Sequence, residues 1–233
     1  MKQIWHDLLF AHWPVSIAAM RVLVPEQLAL DTFDGQCWVG VVPFRMSGIH
    51  RRGLPAVPGF SRFPELNVRT YVIYEDKPGV YFFSLDAASL TAVCAARVFY
   101  HLPYFHAAMS SQNEGKAVHY FSRRYRSSTG SGAEFRGSYR PISEVKLREK
   151  GSLEHWLTER YCLYTVHKNQ IHRGEIHHQP WPLQDAEAEF ESNTVAAAAE
   201  VSLPEIPPLL HFARYLEVLI WPLQRAKAPI SRV

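Results

Sequence analysis

The sequence predicts an α+β fold: one domain over residues 1–233, mainly antiparallel strands in a large curved sheet or β-barrel with a central pocket and a few helices. Three observations lead there. Apolar segments of strand length recur along the chain, several of them coupled in pairs by turn-forming residues. Helical periodicity is confined to three short stretches. No internal repeat occurs, and no linker is long enough to divide the chain. With 47% hydrophobic and 20% charged residues among 233, the chain can bury a sizeable core, and its composition gives no sign of disorder.

In chain order, the first helical pattern is "SIAAMRVLV" at 16–24. In "QCWVGVVPFRM" at 36–46, Trp38, Val42 and Phe44 alternate with Cys37, Val39 and Val41. A strand apolar on both faces is covered on both. "ELNVRTYVIY" at 65–74 and "GVYFFSLDA" at 79–87, joined by "EDKPG", read as a hairpin. "SLTAVCAARVF" at 89–99 is the second helix, with Ser89 as its N-cap. "KAVHYFSRRYR" at 116–126 and "AEFRGSYRP" at 133–141 flank the Ser/Gly-rich turn "SSTGSG" and make a second hairpin. "SLEHWLTER" at 152–160, capped by Ser152, is the third helix. "CLYTVH" at 162–167 and "QIHRGEIHH" at 170–178 form a third hairpin, and "LLHFARYLEVLIWP" at 209–222 closes the sheet.

Charge and cysteine usage exclude several classes. A net charge of +3, with basic residues scattered apart from Arg51-Arg52 and "SRRYR" at 122–126, is too weak to imply a nucleic-acid partner. Arginines alternate with aromatics in "YFSRRYR" as they do in single-strand binders, but beside a polar turn the segment reads as a solvated strand end. Cys37, Cys94 and Cys162 lie far apart in apolar segments without a C-x-x-C pair, and are expected to be reduced core residues. The opening "MKQIWHDLLFAHWPV" is broken by His6, Asp7 and His12, so it fits neither a secretory signal nor a spanning helix, and a soluble cytoplasmic protein is expected.

Three clusters could carry chemistry. On the strand 65–74, Glu65, Asn67, Arg69 and Tyr71 share one face. That face is either a solvent face or the lining of a barrel, where Arg69 would be a fork for a carboxylate and Asn67 an orienting amide. On the helix 89–99 the stripe Leu90, Val93, Cys94 continues to Arg97, an arginine on an apolar face that needs an acid such as Glu65 or Asp86, or else a ligand. "ARVFYHLPYFHA" at 96–107 then adds His101, Tyr104 and His106 as candidate acid/base groups. The third cluster, "HRGEIHHQPW" at 172–181, puts its histidines on opposite strand faces with no zinc-ligand spacing. An Arg173–Glu175 pair is the better reading there, and no metal is expected.

With "HWPV" (12–15), "WVGVVPFRM" (38–46), "PELNVRTYV" (64–72), "ARVFYHLPYFHA" (96–107), "GSLEHWLTERYCLY" (151–164) and "GEIHHQPWPLQ" (174–184) in view, the chain resembles, over nearly its whole length, the YqjF-like family of uncharacterised bacterial proteins. That family is grouped with the acetoacetate decarboxylase-like superfamily. The resemblance implies a barrel- or cone-like sheet around a pocket, and is compatible with a homo-oligomer. The decarboxylase uses a lysine whose pKa an adjacent lysine lowers. Aligned on Ala96-Arg97 and Pro103, this chain carries Tyr104-Phe105 at the two lysine positions. Its lysines (Lys2, Lys77, Lys116, Lys146, Lys150, Lys168 and Lys227) lie near termini, turns or polar segments, where none is desolvated.

The reading from sequence is therefore a pocket protein that binds or transforms a small organic acid or carbonyl compound without a Schiff-base lysine and without a cofactor. Arg97, Arg69, Asn67 and Glu65 are the ligand-binding candidates, and His101, Tyr104 and His106 the catalytic ones. The competing classes are a non-catalytic small-molecule sensor or carrier using the same pocket, and a structural or interaction protein whose "YFSRRYR" arm meets a partner.

Overall fold

A computed structural model describes residues 1–50, 62–125 and 132–226; Arg51-Arg52, Arg126, most of the "SSTGSG" turn and Lys227 lie outside the described residues. The elements run β1 (Lys2–Val15), α1 (Ile17–Arg21), β2 (Ala29–Leu30), β3 (Cys37–His50), β4 (Phe63–Tyr74), β5 (Lys77–Ala87), α2 (Leu90–Tyr100), β6 (Tyr104–Glu114) and β7 (Ala117–Arg124). There follow β8 (Glu134–Pro141), α3 (Leu153–Thr158), β9 (Cys162–His167), β10 (Gln170–His178), β11 (Gln184–Asn193), a 3-10 turn at Ala197–Ala199, β12 (Leu209–Ile220) and β13 (Gln224–Arg225). The fold is mostly β, a large curved mixed sheet with few helices. Among the described residues no helix is long and apolar enough to cross a membrane.

Strand pairing closes this sheet on itself twice. One circuit runs β4, β5, β9, β10, β12, β1, β3 and back to β4. The other leaves β5 through β6, β7, β8 and β11, and rejoins at β12. The pairs β5–β6 and β5–β9 are parallel, and the other pairings among the described strands are antiparallel. The shared wall of β12, β1, β3, β4 and β5 thus separates two interiors, which explains why β3 is apolar on both faces.

Alternation sorts the shared strands between the two interiors. Leu8 and Phe10 of β1, Val42, Phe44 and Met46 of β3, and Phe63 and Tyr71 of β4 face one core. Leu9, Ala11 and Trp13, Val39 and Val41, and Leu66, Val68 and Val72 face the other. Tyr120, Phe135, Tyr139 and Phe212 fill the second interior. The first encloses a cavity of about 650 Å³.

Turn chemistry sets the hairpins. Glu75 and Asp76 take φ of 51° and 59°, and Lys168 and Asn169 take 49° and 60°, so both hairpins close through two left-handed residues. Ser16, Ser89 and Ser152 cap the three helices by accepting from the amides of Ala19, Ala92 and His155. At Gly137 of β8, a methyl group would overlap the Glu189 carbonyl oxygen and lie 3.2 Å from Phe190 Cδ1. Gly137→Ala is expected to cost about 1–3 kcal/mol, since backbone must move to admit it. Urea unfolding checks this, and an unchanged midpoint would show that the β8–β11 pair yields freely.

Several expectations need correction. Cys37 and Cys162 are buried, but Cys94 is exposed on α2. The stripe Leu90, Val93, Cys94, Arg97 is not the buried face of that helix: only Val93 is buried, and Leu90 and Arg97 are exposed. The face turned to the cavity is Ala92, Ala95, Ala96, Phe99 and Tyr100, which is equally periodic but begins on three alanines. Nor is "YFSRRYR" wholly a solvated strand end. Arg124 is buried in an ion pair with Asp86, and its guanidinium lies 4.0 Å from the centre of the Phe105 ring.

Candidate functional site

The cavity of the first interior takes polar groups from Gln3 of β1, Thr158 of α3 and four further places. β4 contributes Glu65, Asn67 and Arg69, on one face because side chains alternate along a strand. β6 opens on Tyr104, the chain between α3 and β9 contributes Arg160, and the end of β10 contributes His178. Most of the remaining wall is aliphatic or aromatic, including Trp5, Phe44, Phe82 and Trp181.

At one end, Tyr104 Oη donates to Glu65 Oε2 over 2.8 Å. Tyr120 Oη donates to the Glu65 carbonyl over 2.7 Å and to that of Phe44 over 3.0 Å, fixing this stretch of β4 against β3. Glu65 is 3% exposed. Burial pushes its carboxyl up to about 8, the Tyr104 bond opposes the shift, and the Asp86 charge adds to it. Near neutral pH, Glu65 is mainly a neutral acid. Burial and the neighbouring Glu65 hold the Tyr104 phenol well above its ordinary value, so it too keeps its proton.

At the other end stand two arginines. The Arg160 Nη1 donates to Asp31 Oδ2 at 2.5 Å and its Nε to the Trp156 carbonyl at 2.7 Å. Its guanidinium carbon is 4.8 Å from the centre of the Tyr71 ring and 4.3 Å from that of Trp156. The Arg69 guanidinium lies 5.9 Å from the same Tyr71 ring and 5.3 Å from Phe10. Tyr71 is in turn 2.6 Å from His12 Nε2, and burial holds His12 well below the usual histidine range, so that imidazole is neutral. His178, lowered by burial, has Nδ1 2.7 Å from the Gln179 carbonyl and stacks on Tyr161. Asn67 Oδ1, Arg69 Nε, Arg160 Nη2 and Trp181 Nε1 are buried without a hydrogen-bond partner.

The structure thus brings Glu65, Asn67, Arg69 and Tyr104 to one cavity. Arg97, His101 and His106 do not line it. Exposed Arg97 donates through Nε to the Tyr104 carbonyl at 2.7 Å, so it braces the start of β6 from outside. Asp86 and Glu65, its expected acid partners, pair instead with Arg124 and Tyr104. His101 caps α2 in the left-handed region, stacks on His167 at 4.0 Å, and with Arg97 lines a separate recess of about 370 Å³. His106 packs on Tyr125. In the third cluster, Arg173 pairs with Glu175 at 2.8 Å, and Glu175 also with Lys77 at 2.5 Å. No group of three or more His, Cys, Asp or Glu among the described residues could hold a metal ion.

Arg160, Thr158, Gln3 and Trp181 were missed from sequence. Arg160 follows a short capped helix and gives no periodic signal, and Gln3 lies on β1, whose polar interruptions hide a strand. No lysine lines the cavity among the described residues.

The first interior is thus an apolar cavity walled by the closed sheet, with a buried acid and two arginines in its lining. The chain belongs to the DUF2071 family, described as "Uncharacterized conserved protein", which it matches over residues 2–217. It is 52% identical over 225 residues to the "Uncharacterized protein YqjF" of Bacillus subtilis (strain 168), covering 97% of this chain and 92% of that one. Its fold is that of acetoacetate decarboxylase-like enzymes. The acetoacetate decarboxylase of Legionella pneumophila superposes with a TM-score of 0.63 at 11% identity, over 99% of this chain and 88% of that one. The enduracididine biosynthesis enzyme MppR, complexed with pyruvate, superposes at 0.64 and 11% identity, over 96% of this chain and 89% of its own. At such identities the likeness speaks for the fold alone.

Proposed function

We propose that this chain binds a small organic acid or carbonyl compound in the cavity and moves a proton on it, without forming a Schiff base. The observation that carries this reading is the buried Glu65–Tyr104 pair sharing one cavity with two arginines. The arginines supply donors for a carboxylate. With Tyr104 donating to Oε2, Glu65 keeps Oε1 for its proton and for a bound carbonyl. A carboxyl titrating at about 8 holds a proton at neutral pH and can also release it, the requirement for general acid–base work there. Tyr104 standing at an aligned lysine position removes the covalent route. The pyruvate bound by MppR, a protein of the same fold, supports a small oxo acid as the ligand type.

Two measurements test this. Borohydride added with pyruvate or acetoacetate should leave the protein mass unchanged, and a stoichiometric lysine adduct would overturn the lysine-free reading. Hydrogen exchange next to the carbonyl of a bound oxo acid, followed by NMR in heavy water, should fall by about 10²-fold or more in Glu65→Gln. Exchange that survives the substitution would remove Glu65 from the chemistry.

A further inference from the structure

The size and charge of the cavity say more about the ligand. We infer that it is a monocarboxylate with a bulky apolar body, an aryl or medium-chain acid, whose carboxylate sits at Arg69 and Arg160 while the body fills the space lined by Trp5, Phe44 and Trp181. This rests on the reading of the cavity as an acid-binding site.

Charge comes first. Arg69 is 7% exposed and enters no ion pair among the described residues, whereas Arg160 is matched by Asp31. His12 and His178 are neutral, and Glu65 mostly protonated, so of the two guanidiniums lining the cavity only Arg160 has an ion-pair partner among the described residues, and Arg69 presents one positive charge without one. A buried unpaired guanidinium is strongly unfavourable unless an anion joins it. One surplus charge matches one carboxylate. A dicarboxylate would bring its second charge toward Glu65, where the nearby Asp86 carboxylate already disfavours an anion.

Size comes next. About 650 Å³ lies in the range of sites that enclose drug-sized ligands and far exceeds the needs of a three-carbon acid. Much of the remaining wall offers rings rather than polar groups: Trp5 lies 5.4 Å from Phe44 and 6.0 Å from Trp181, centroid to centroid. Water held there would find few partners, while an apolar body would remove that wall from solvent. Asn67 Oδ1 and Trp181 Nε1, both without partners, leave one acceptor and one donor for a polar substituent on the body.

Calorimetry on the full chain near neutral pH, with octanoate, 3-phenylpropionate, pyruvate, octanol and octanedioate as probes, separates the elements of this inference. Octanoate or 3-phenylpropionate should bind at least about tenfold more tightly than pyruvate, octanol or octanedioate. Arg69→Met should remove that advantage over octanol, and Arg69→Lys, which keeps the charge without the fork, should retain part of it. Pyruvate binding as tightly as the larger acids, with dependence on Arg69, would overturn the bulky body and leave the acid site standing. Octanol binding as tightly as octanoate would overturn the acid site itself. Preference for octanedioate would overturn the single-charge argument. These comparisons on the unsubstituted chain stand even where an Arg69 variant fails to fold.

Discussion

Glu65→Gln should make the protein more stable than the parent in alkaline solution and leave the two nearly equal in mild acid. A carboxyl whose folded pKa is raised keeps its proton in the native chain after the unfolded chain has released it. Its contribution is fully present below the unfolded value of about 4.5 and is lost as the pH rises through about 8. A shift of that size corresponds to a change on the order of 4–5 kcal/mol across the window. Glutamine carries no charge, can still accept from Tyr104, and should abolish that change. Asp86, raised to about 6 by burial against the opposing pull of Arg124, titrates in both proteins and cancels in their difference. Urea unfolding at a series of pH values yields the difference curve. A curve flat from pH 5 to pH 9 would show that Glu65 ionises freely in the native cavity, and would remove the neutral acid from the proposed chemistry.

The parts of this architecture that could be read from sequence are those in which local pattern and tertiary role coincide. The three hairpins were legible because short turn segments punctuate apolar runs, and the helices because Ser89 and Ser152 stand before periodic stretches. The face Glu65-Asn67-Arg69 was legible as a face, since period two is fixed by backbone geometry. Its destination was not, because a solvent face and a barrel lining share one pattern. The strands β1, β6 and β11 escaped for the same reason. In β1, Asp7 interrupts the apolar run, yet it is buried at φ 52° and satisfied by Arg45, Asn113 and Arg214 from distant segments. Arg97 was misplaced because large aliphatics drew the stripe, whereas the cavity face of α2 begins on three alanines, whose small side chains give a weak apolar signal. Arg160 and Asp31 lie 129 positions apart, and no spacing rule joins them.

Asp86→Asn should destabilise the protein by about 3–5 kcal/mol, the usual cost of removing one member of a buried pair. The Asp86 and Arg124 side chains are 0% and 1% exposed, with Nε donating to Oδ1 at 2.8 Å, so loss of the carboxylate strands a guanidinium with no route to water. Replacing both, as Asp86→Leu with Arg124→Met, should recover much of the loss, because the pair itself contributes far less than its rupture costs. A double-mutant cycle by urea unfolding measures the coupling. A single-variant loss below about 1 kcal/mol would mean that water or backbone reaches Arg124 in solution. The pair also bears on the cavity. Arg124 packs on Phe105, next to Tyr104, and the Asp86 charge helps hold Glu65 protonated. Asparagine removes that repulsion, so the Glu65 midpoint should fall below its value of about 8 in whatever fraction of the variant remains folded. A midpoint that stays in place would assign the shift of Glu65 to burial alone.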